Sequence, residues 1–277
     1  MIPYITNIAS TQTIFHINRN NRLLNQSINA LATGSKVNSD TGRLAEKSIA
    51  VLVQKDNKAY EKAQQVANNG ISLLQTADSA LNSMSNILTQ MYELTQEAAD
   101  TTISAAQRTN LDTEFDELKL EINRISNSTE FNGIKLLDGT LNSDLLVGIN
   151  NNANDKINIT ILDSDASQLG SGTMLDQVTI SANAAQAQNM LKFVNAAIDD
   201  INSRRATVGA KITRFTETSD YLSSRIIYGD DYRSRIEDVD VASESARMTK
   251  LQVIMQSGVS VLAQANSFPG MALRLLS

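Results

Sequence analysis

Apolar residues recur along this chain with the alternating spacing of helices that pack in seams. From residue 14 they fall at Ile14, Ile17, Leu24, Ile28 and Leu31, with Asn21 holding one place in the same seam. A single polar residue in such a seam sets register and partner number at some loss of stability. A second helix is predicted from Glu46 to about Asp100, with Leu74, Leu81 and Leu88 on one heptad position and Ala77, Met84 and Met91 on another. A third, over 106–127, carries Leu111, Phe115, Leu118, Ile122 and Ile125. Its outer positions hold Asp112, Glu114, Asp116, Glu117, Lys119, Glu121 and Arg124, which reads as a solvated face. From about Asn183, Val194, Ile201, Val208, Phe215 and Leu222 repeat every seven residues, enough for a helix of about 40 residues or about 60 Å. Gly229 with Asp230 and Asp231 reads as a weak point. The last segment places Val241, Met248, Met255 and Leu262 at intervals of seven, with Leu251 and Ala265 on a second seam position, and Pro269 with Gly270 is expected to end it.

The middle of the chain changes character. Residues 130–175 are rich in Gly, Asn and Asp, with short apolar runs at Ile134–Leu137, Leu145–Ile149 and Ile157–Leu162. The last two are joined by Asn150-Asn151-Asn152-Ala153-Asn154-Asp155, a turn composition. An isolated hairpin is only marginally stable, so this one should pack on the helices. The expected fold is therefore mainly α: a long antiparallel helical bundle or coiled coil with a small β-hairpin element. The two terminal seams are buried most simply against each other or against neighbouring copies. A pair of helices this short is marginal by itself, so assembly should order it.

Composition narrows the chemistry. The hydrophobic share is 42% but the aromatic share only 4%, with no Trp, so the core is built from Leu, Ile, Val and Ala. Pro3 and Pro269 are the two prolines, which leaves everything between them open to long helices. The net charge of −6 and the lack of a Lys/Arg run argue against nucleic acid as a partner. No apolar run reaches the roughly 18 residues that membrane insertion needs. The opening MIPYITNIASTQ lacks a basic and an apolar region, so no cleaved secretory signal is expected. Without Cys there are no disulfides and no thiol chemistry.

Candidate catalytic groups are scarce. His16 is the one histidine, set among Ile14, Phe15 and Ile17, and reads as an interface or surface residue. The acidic pairs Asp116-Glu117, Asp199-Asp200 and Asp230-Asp231 read as solvent-facing charge. Gly170-Ser171-Gly172 lacks the context and the third glycine of a dinucleotide site, and no P-loop occurs. Asn127-Ser128-Thr129 and Asn158-Ile159-Thr160 match the short glycosylation pattern. Met84, Met91, Met248 and Met255 read as packing residues. The chain is thus expected to have no catalytic, cofactor-binding or metal-binding residues and not to be an enzyme.

Several segments resemble bacterial flagellins. Asn68-Asn69-Gly70-Ile71-Ser72-Leu73-Leu74-Gln75-Thr76-Ala77-Asp78-Ser79-Ala80-Leu81 is similar to the family's N-terminal signature. So are Leu31-Ala32-Thr33-Gly34-Ser35-Lys36-Val37-Asn38-Ser39 upstream and Phe131-Asn132-Gly133-Ile134-Lys135-Leu136-Leu137 downstream. Ser234-Arg235-Ile236-Glu237-Asp238, Ser260-Val261-Leu262-Ala263-Gln264-Ala265-Asn266 and Leu273-Arg274-Leu275-Leu276 resemble the C-terminal signature. The matches run in family order over about 1–140 and 190–277.

The resemblance implies a structural subunit of the flagellar filament, exported unfolded by a type III system and secreted to the cell exterior for swimming motility. It implies a terminal coiled-coil domain, 1–43 plus 238–277, forming the filament core. A helical domain, 44–237, would form the outer tube, with its hairpin insert at about 130–180 and without the outer variable domains of longer members. Self-assembly would fall to Ile14, Ile17, Asn21, Leu24, Ile28, Leu31, Met248, Leu251, Met255, Leu262 and Ala265. The implied partners are identical subunits, an export chaperone, the filament cap and hook-junction proteins. Two departures stand out. Gly42-Arg43-Leu44-Ala45-Glu46 replaces the family's Asp-Asp-Ala-Ala-Gly run at the expected junction between domains. Leu88, Gln90, Glu93 and Leu94 lie in a segment similar to the surface recognised by the animal innate receptor for flagellin, with Gln90 where activating members carry an arginine, which implies weakened recognition. The rival readings are a hook–filament junction protein of the same architecture and a type III secretion translocator or tip protein.

Overall fold

The computed structural model describes residues 7–37, 43–150, 152–170 and 174–275, with side chains described up to Ser267. Among the described residues five α-helices carry the fold: α1 (Ile8–Thr33), α2 (Leu44–Ala98), α3 (Ala105–Ser128), α4 (Ala184–Glu237) and α5 (Val241–Leu275). Four strands form two antiparallel pairs: β1 (Glu130–Phe131) with β2 (Ile134–Lys135), and β3 (Asn142–Leu146) with β4 (Lys156–Thr160). The mainly helical expectation holds. The chain divides into a terminal unit, residues up to Asn57 and from Ile227 onward, and a central unit, Lys58–Ile226.

The helix ends follow their local chemistry. Asn7 caps α1 by accepting from the Ser10 amide at 3.1 Å, and Gly34, at φ 70°, closes it in the left-handed conformation. Ser104 and Gln107 form a reciprocal capping box at the start of α3, with the Gln107 amide donating to Ser104 Oγ and the Ser104 amide to Gln107 Oε1. Asp240 caps α5 by accepting from the amides of Ala242 and Ser243. Between β1 and β2, Asn132 and Gly133 both take positive φ, as a two-residue hairpin turn requires.

In the central unit α2 and α4 run antiparallel. Arg225 Nη2 donates to Tyr60 Oη, Arg205 pairs with Asp78 at 3.0 Å, and Gln188 Nε2 reaches the Ala99 carbonyl. The heptad residues Leu74, Ala77, Leu81, Met84, Leu88 and Met91 are fully buried, as are Val194, Ile201 and Phe215 opposite. Phe115 and Ile122 bring α3 into the same core. Gly70 permits a close approach there: a Cβ would lie 3.1 Å from both Leu145 Cδ2 and Phe215 Cε1. The buried Arg108 donates to the carbonyls of Ala98 and Asp100, satisfying acceptors freed at the end of α2.

Four expectations are corrected. The first strand of the larger hairpin is Asn142–Leu146 rather than 145–149: Asn142, Asp144 and Leu146 face outward and Ser143 and Leu145 inward, so polar residues fall on both faces and no apolar run marks it. The face of α3 is not wholly solvated, because Asp112 accepts from the Ile180 amide at 2.7 Å and Lys119 donates to the Val178 carbonyl at 3.0 Å. α4 runs 54 residues, straight through Gly229, whose bare backbone lets Asn57 approach. α5 does not end at Pro269 but continues helically to Leu275.

Candidate assembly surface

The terminal helices α1 and α5 lie antiparallel. At one end the Ser35–Asp238 bridge joins them, with the Lys36 amide donating to the Glu237 carbonyl at 2.8 Å and the Val239 amide to that of Gly34 at 3.0 Å. At the other, Asn7 Nδ2 donates to the Ala265 carbonyl at 2.8 Å. Between these points Ile17 packs against Gly258.

Along α5 the heptad residues divide: Val241, at the start of the row, is 61% exposed, and the later ones turn inward. Met248, Met255 and Leu262 are half-buried, and Leu251 and Ala265 are buried. Gly258 completes the spacing between Met255 and Leu262.

On α1 the seam is split. Ile17, Leu24 and Leu31 are half-buried towards it, but Ile14 and Ile28 remain 46% and 43% exposed, and Asn21 is exposed with its Oδ1 accepting from Asn25 Nδ2. The column beside them does the packing instead: Thr13 and Asn20 are half-buried and Ser27 fully buried, with Ala30 buried at the base. Neighbouring residues on a helix lie about 100° apart, so a seam displaced by one residue leaves the more apolar column uncovered. The Ser27 Oγ has no hydrogen-bond partner, which makes this seam an imperfect one.

Uncovered apolar side chains concentrate in the terminal unit. Ile8, Phe15, Ile14 and Ile28 of α1 are exposed, with Val253, Ile254, Val259 and Val261 of α5 and Leu44, Ile49, Val51 and Leu52 of α2. His16 is exposed as well, its ring meeting that of Phe15 edge to face. Single exposed apolar residues are ordinary; a dense set on the helices of one unit marks an interface.

The receptor-like segment lies on α2. Gln90 and Glu93 are exposed and Leu94 is half-buried against the core. Leu88 is fully buried, so it cannot belong to a contact surface. It is a heptad residue of the central core, facing away from Gln90 and Glu93.

Sequence reading missed Ser27, Ala30 and Gly258 as seam residues and Asn7 as a contact between the two helices. The signal for the seam was present in the sevenfold spacing of Thr13, Asn20 and Ser27, which hydrophobicity alone does not register.

The titrations that the fold shifts belong to turns, to the exposed Glu121–Arg124 pair on α3 and to packing. Hydrogen bonds from the Thr140 hydroxyl and amide hold the Asp138 carboxyl below its ordinary value. Burial draws the Arg204 guanidinium down, where it donates to the carbonyls of Asp163 and Gln168 and to Ser164 Oγ. Among the described residues no group of His, Cys, Asp or Glu is arranged to hold a metal ion, and no helix is long and apolar enough to cross a membrane.

Long helices, terminal seams and a dense uncovered apolar surface define a self-assembling structural subunit. The bacterial flagellin N-terminal helical region matches residues 5–142, and the bacterial flagellin C-terminal helical region matches 191–276. The chain is 33% identical to a flagellin of Bacillus subtilis and 30% identical to one of Listeria monocytogenes, in each case over 98% of both chains. It belongs to the flagellin family, whose members are structural proteins of the flagellar filament and not enzymes. The fold is also that of a solved structure described as a flagellar hook-associated protein from Vibrio parahaemolyticus, with a TM-score of 0.58 and 14% identity over 67% of this chain and 95% of that one.

Proposed function

We propose that subunits polymerise by burying the uncovered column Ile14, Asn21 and Ile28, together with the exposed apolar face of α5, against other copies. The observation that carries this is the split seam: the α1–α5 pair consumes Ile17, Leu24, Leu31, Met248, Leu251, Met255, Leu262 and Ala265 within one molecule and leaves Ile14 and Ile28 in water. A head-to-tail contact that does not close repeats into a helical filament, so a modest gain per subunit accumulates along the tube. In this reading residues 1–43 and 238–277 form the filament core and 44–237 the outer tube. Export through a type III channel delivers the chain to the cell exterior. An export chaperone, the filament cap and hook-junction proteins are its further partners.

The full-length double variant Ile14→Asp, Ile28→Asp tests the reading, because neither side chain is needed for the α1–α5 seam. It should keep the helical circular dichroism of the parent yet form no filaments in electron micrographs after induced polymerisation. Filaments as abundant as those of the parent would refute the role of this column.

On α2, the exposed Gln90 and Glu93 form the part of the segment that a receptor can reach. Gln90 offers fewer donors than a guanidinium and no charge, so recognition by the innate receptor is weakened. Gln90→Arg should raise signalling by the purified monomer in reporter cells; robust signalling by the unaltered chain would count against the proposal.

A further inference from the structure

A proline inside a helix removes one backbone donor, and the carbonyl four residues earlier then has no intrahelical partner. In α5 that proline is Pro269, and the carbonyl is that of Ala265, a residue only 8% exposed. The carbonyl is not left unsatisfied: Asn7 Nδ2 donates to it at 2.8 Å from the opposite end of the sequence. The same Asn7 side chain accepts the Ser10 amide through Oδ1 at 3.1 Å and so begins α1. Both ends of one carboxamide are in use, one per helix.

We infer that Asn7 is a clasp: it caps α1 and replaces the donor that Pro269 takes from α5, so the part of α5 beyond Ala265 stays helical only while α1 is docked. The residue type is specific to this double task. Asp and Ser cap helices about as well as Asn, but a carboxylate offers no donor to Ala265 and would set an anion against its carbonyl. The start of α1 and the last turns of α5 are therefore ordered together. A subunit whose α1 has lifted away loses the far end of α5 with it.

The test is hydrogen exchange on the full-length monomer in four forms: the parent, Asn7→Asp, Pro269→Ala and the double variant. Asn7→Asp preserves the cap of α1 but removes the donor to α5. It should speed exchange at residues 266–275 by tenfold or more and change residues 15–30 by less than threefold. Pro269→Ala restores the backbone donor to the Ala265 carbonyl. In that background the effect of Asn7→Asp on 266–275 should shrink to less than threefold. An equal effect in both backgrounds would show generic end packing and overturn the clasp. So would unchanged exchange in Asn7→Asp, or amides at 266–275 without protection in the parent.

Discussion

Gly258 of α5 faces Ile17 of α1 so closely that a methyl group added at 258 would stand 3.1 Å from Ile17 Cγ1 and 3.6 Å from Cδ1. Glycine in a helix interior costs about 1 kcal/mol relative to alanine, so its place here reflects the fit of the Ile17 knob rather than local preference. A large side chain at 258 must displace α1. Gly258→Leu is expected to destabilise the α1–α5 pair by about 1–3 kcal/mol, the usual scale of overpacking. The checks are faster hydrogen exchange through α1 and loss of polymerisation, with the exchange of buried amides in the central unit unchanged. A variant that keeps α1 protected would show that the seam tolerates the extra bulk.

The opposite sign is expected one step along the same seam. Ser27 is fully buried and its Oγ has no partner, so the hydroxyl has lost water without gaining a bond. Leaving a buried polar group unsatisfied costs about 1–3 kcal/mol, and alanine is also the better helix former. Ser27→Ala should slow exchange in α1 and raise the denaturant midpoint of the terminal unit. A lower midpoint would mean that the hydroxyl has a partner in solution.

These two residues mark the limit of what sequence periodicity reveals. Leu74, Leu81 and Leu88 in α2, and Val194, Ile201, Val208, Phe215 and Leu222 in α4, stand out by hydrophobicity and all lie in the interior. At the terminal pair the same criterion selects Ile14 and Ile28, but α5 receives the smaller, more polar Thr13, Asn20 and Ser27, because close helix packing depends on shape as well as on polarity. Gly229 fails for a related reason: a glycine that breaks an isolated helix also makes room for a neighbour. The loop that follows β4 is hidden altogether. Beyond the run that ends at Leu162, Ala166, Leu169, Leu175, Val178 and Ile180 are buried from irregular backbone and one 3₁₀ turn, and no period announces them.

Strong acid should loosen one turn of the central unit. Asp138 Oδ1 accepts from the Thr140 hydroxyl at 2.6 Å and from its amide at 3.0 Å, next to the buried Leu136, Leu137 and Leu141. These bonds favour the carboxylate and hold its folded pKa below the ordinary Asp value of about 3.9. A depressed folded pKa contributes stability that is present above the unfolded value and is lost as pH falls through the folded one. The Thr140 amide resonance should therefore titrate with a midpoint below about 3.9. In Asp138→Asn, which retains an acceptor but does not ionise, the resonance should stay flat. A midpoint at or above the ordinary value would remove the turn as an acid-sensitive point.

The steric test with the clearest sign lies at Gly229. A Cβ there would fall 2.0 Å from Asn57 Oδ1 and 2.8 Å from Asn57 Cγ, while the Asn57 side chain, only 5% exposed, donates to Asp230 Oδ1 at 3.0 Å. Helix propensity alone would make Gly229→Ala stabilising by about 1 kcal/mol. Displacing Asn57 disturbs the bonding of a buried amide, its bond to Asp230 included, and a buried polar group that loses its partner costs about 1–3 kcal/mol before any strain is counted. The balance is destabilising, and denaturant unfolding of the full chain should show it as a lower midpoint. The double variant Gly229→Ala, Asn57→Ala removes the obstruction and should recover much of the loss, because the new methyl then meets a shorter side chain. Gly229→Ala more stable than the parent would mean that Asn57 moves aside freely, and the close approach would then have no part in shaping α4.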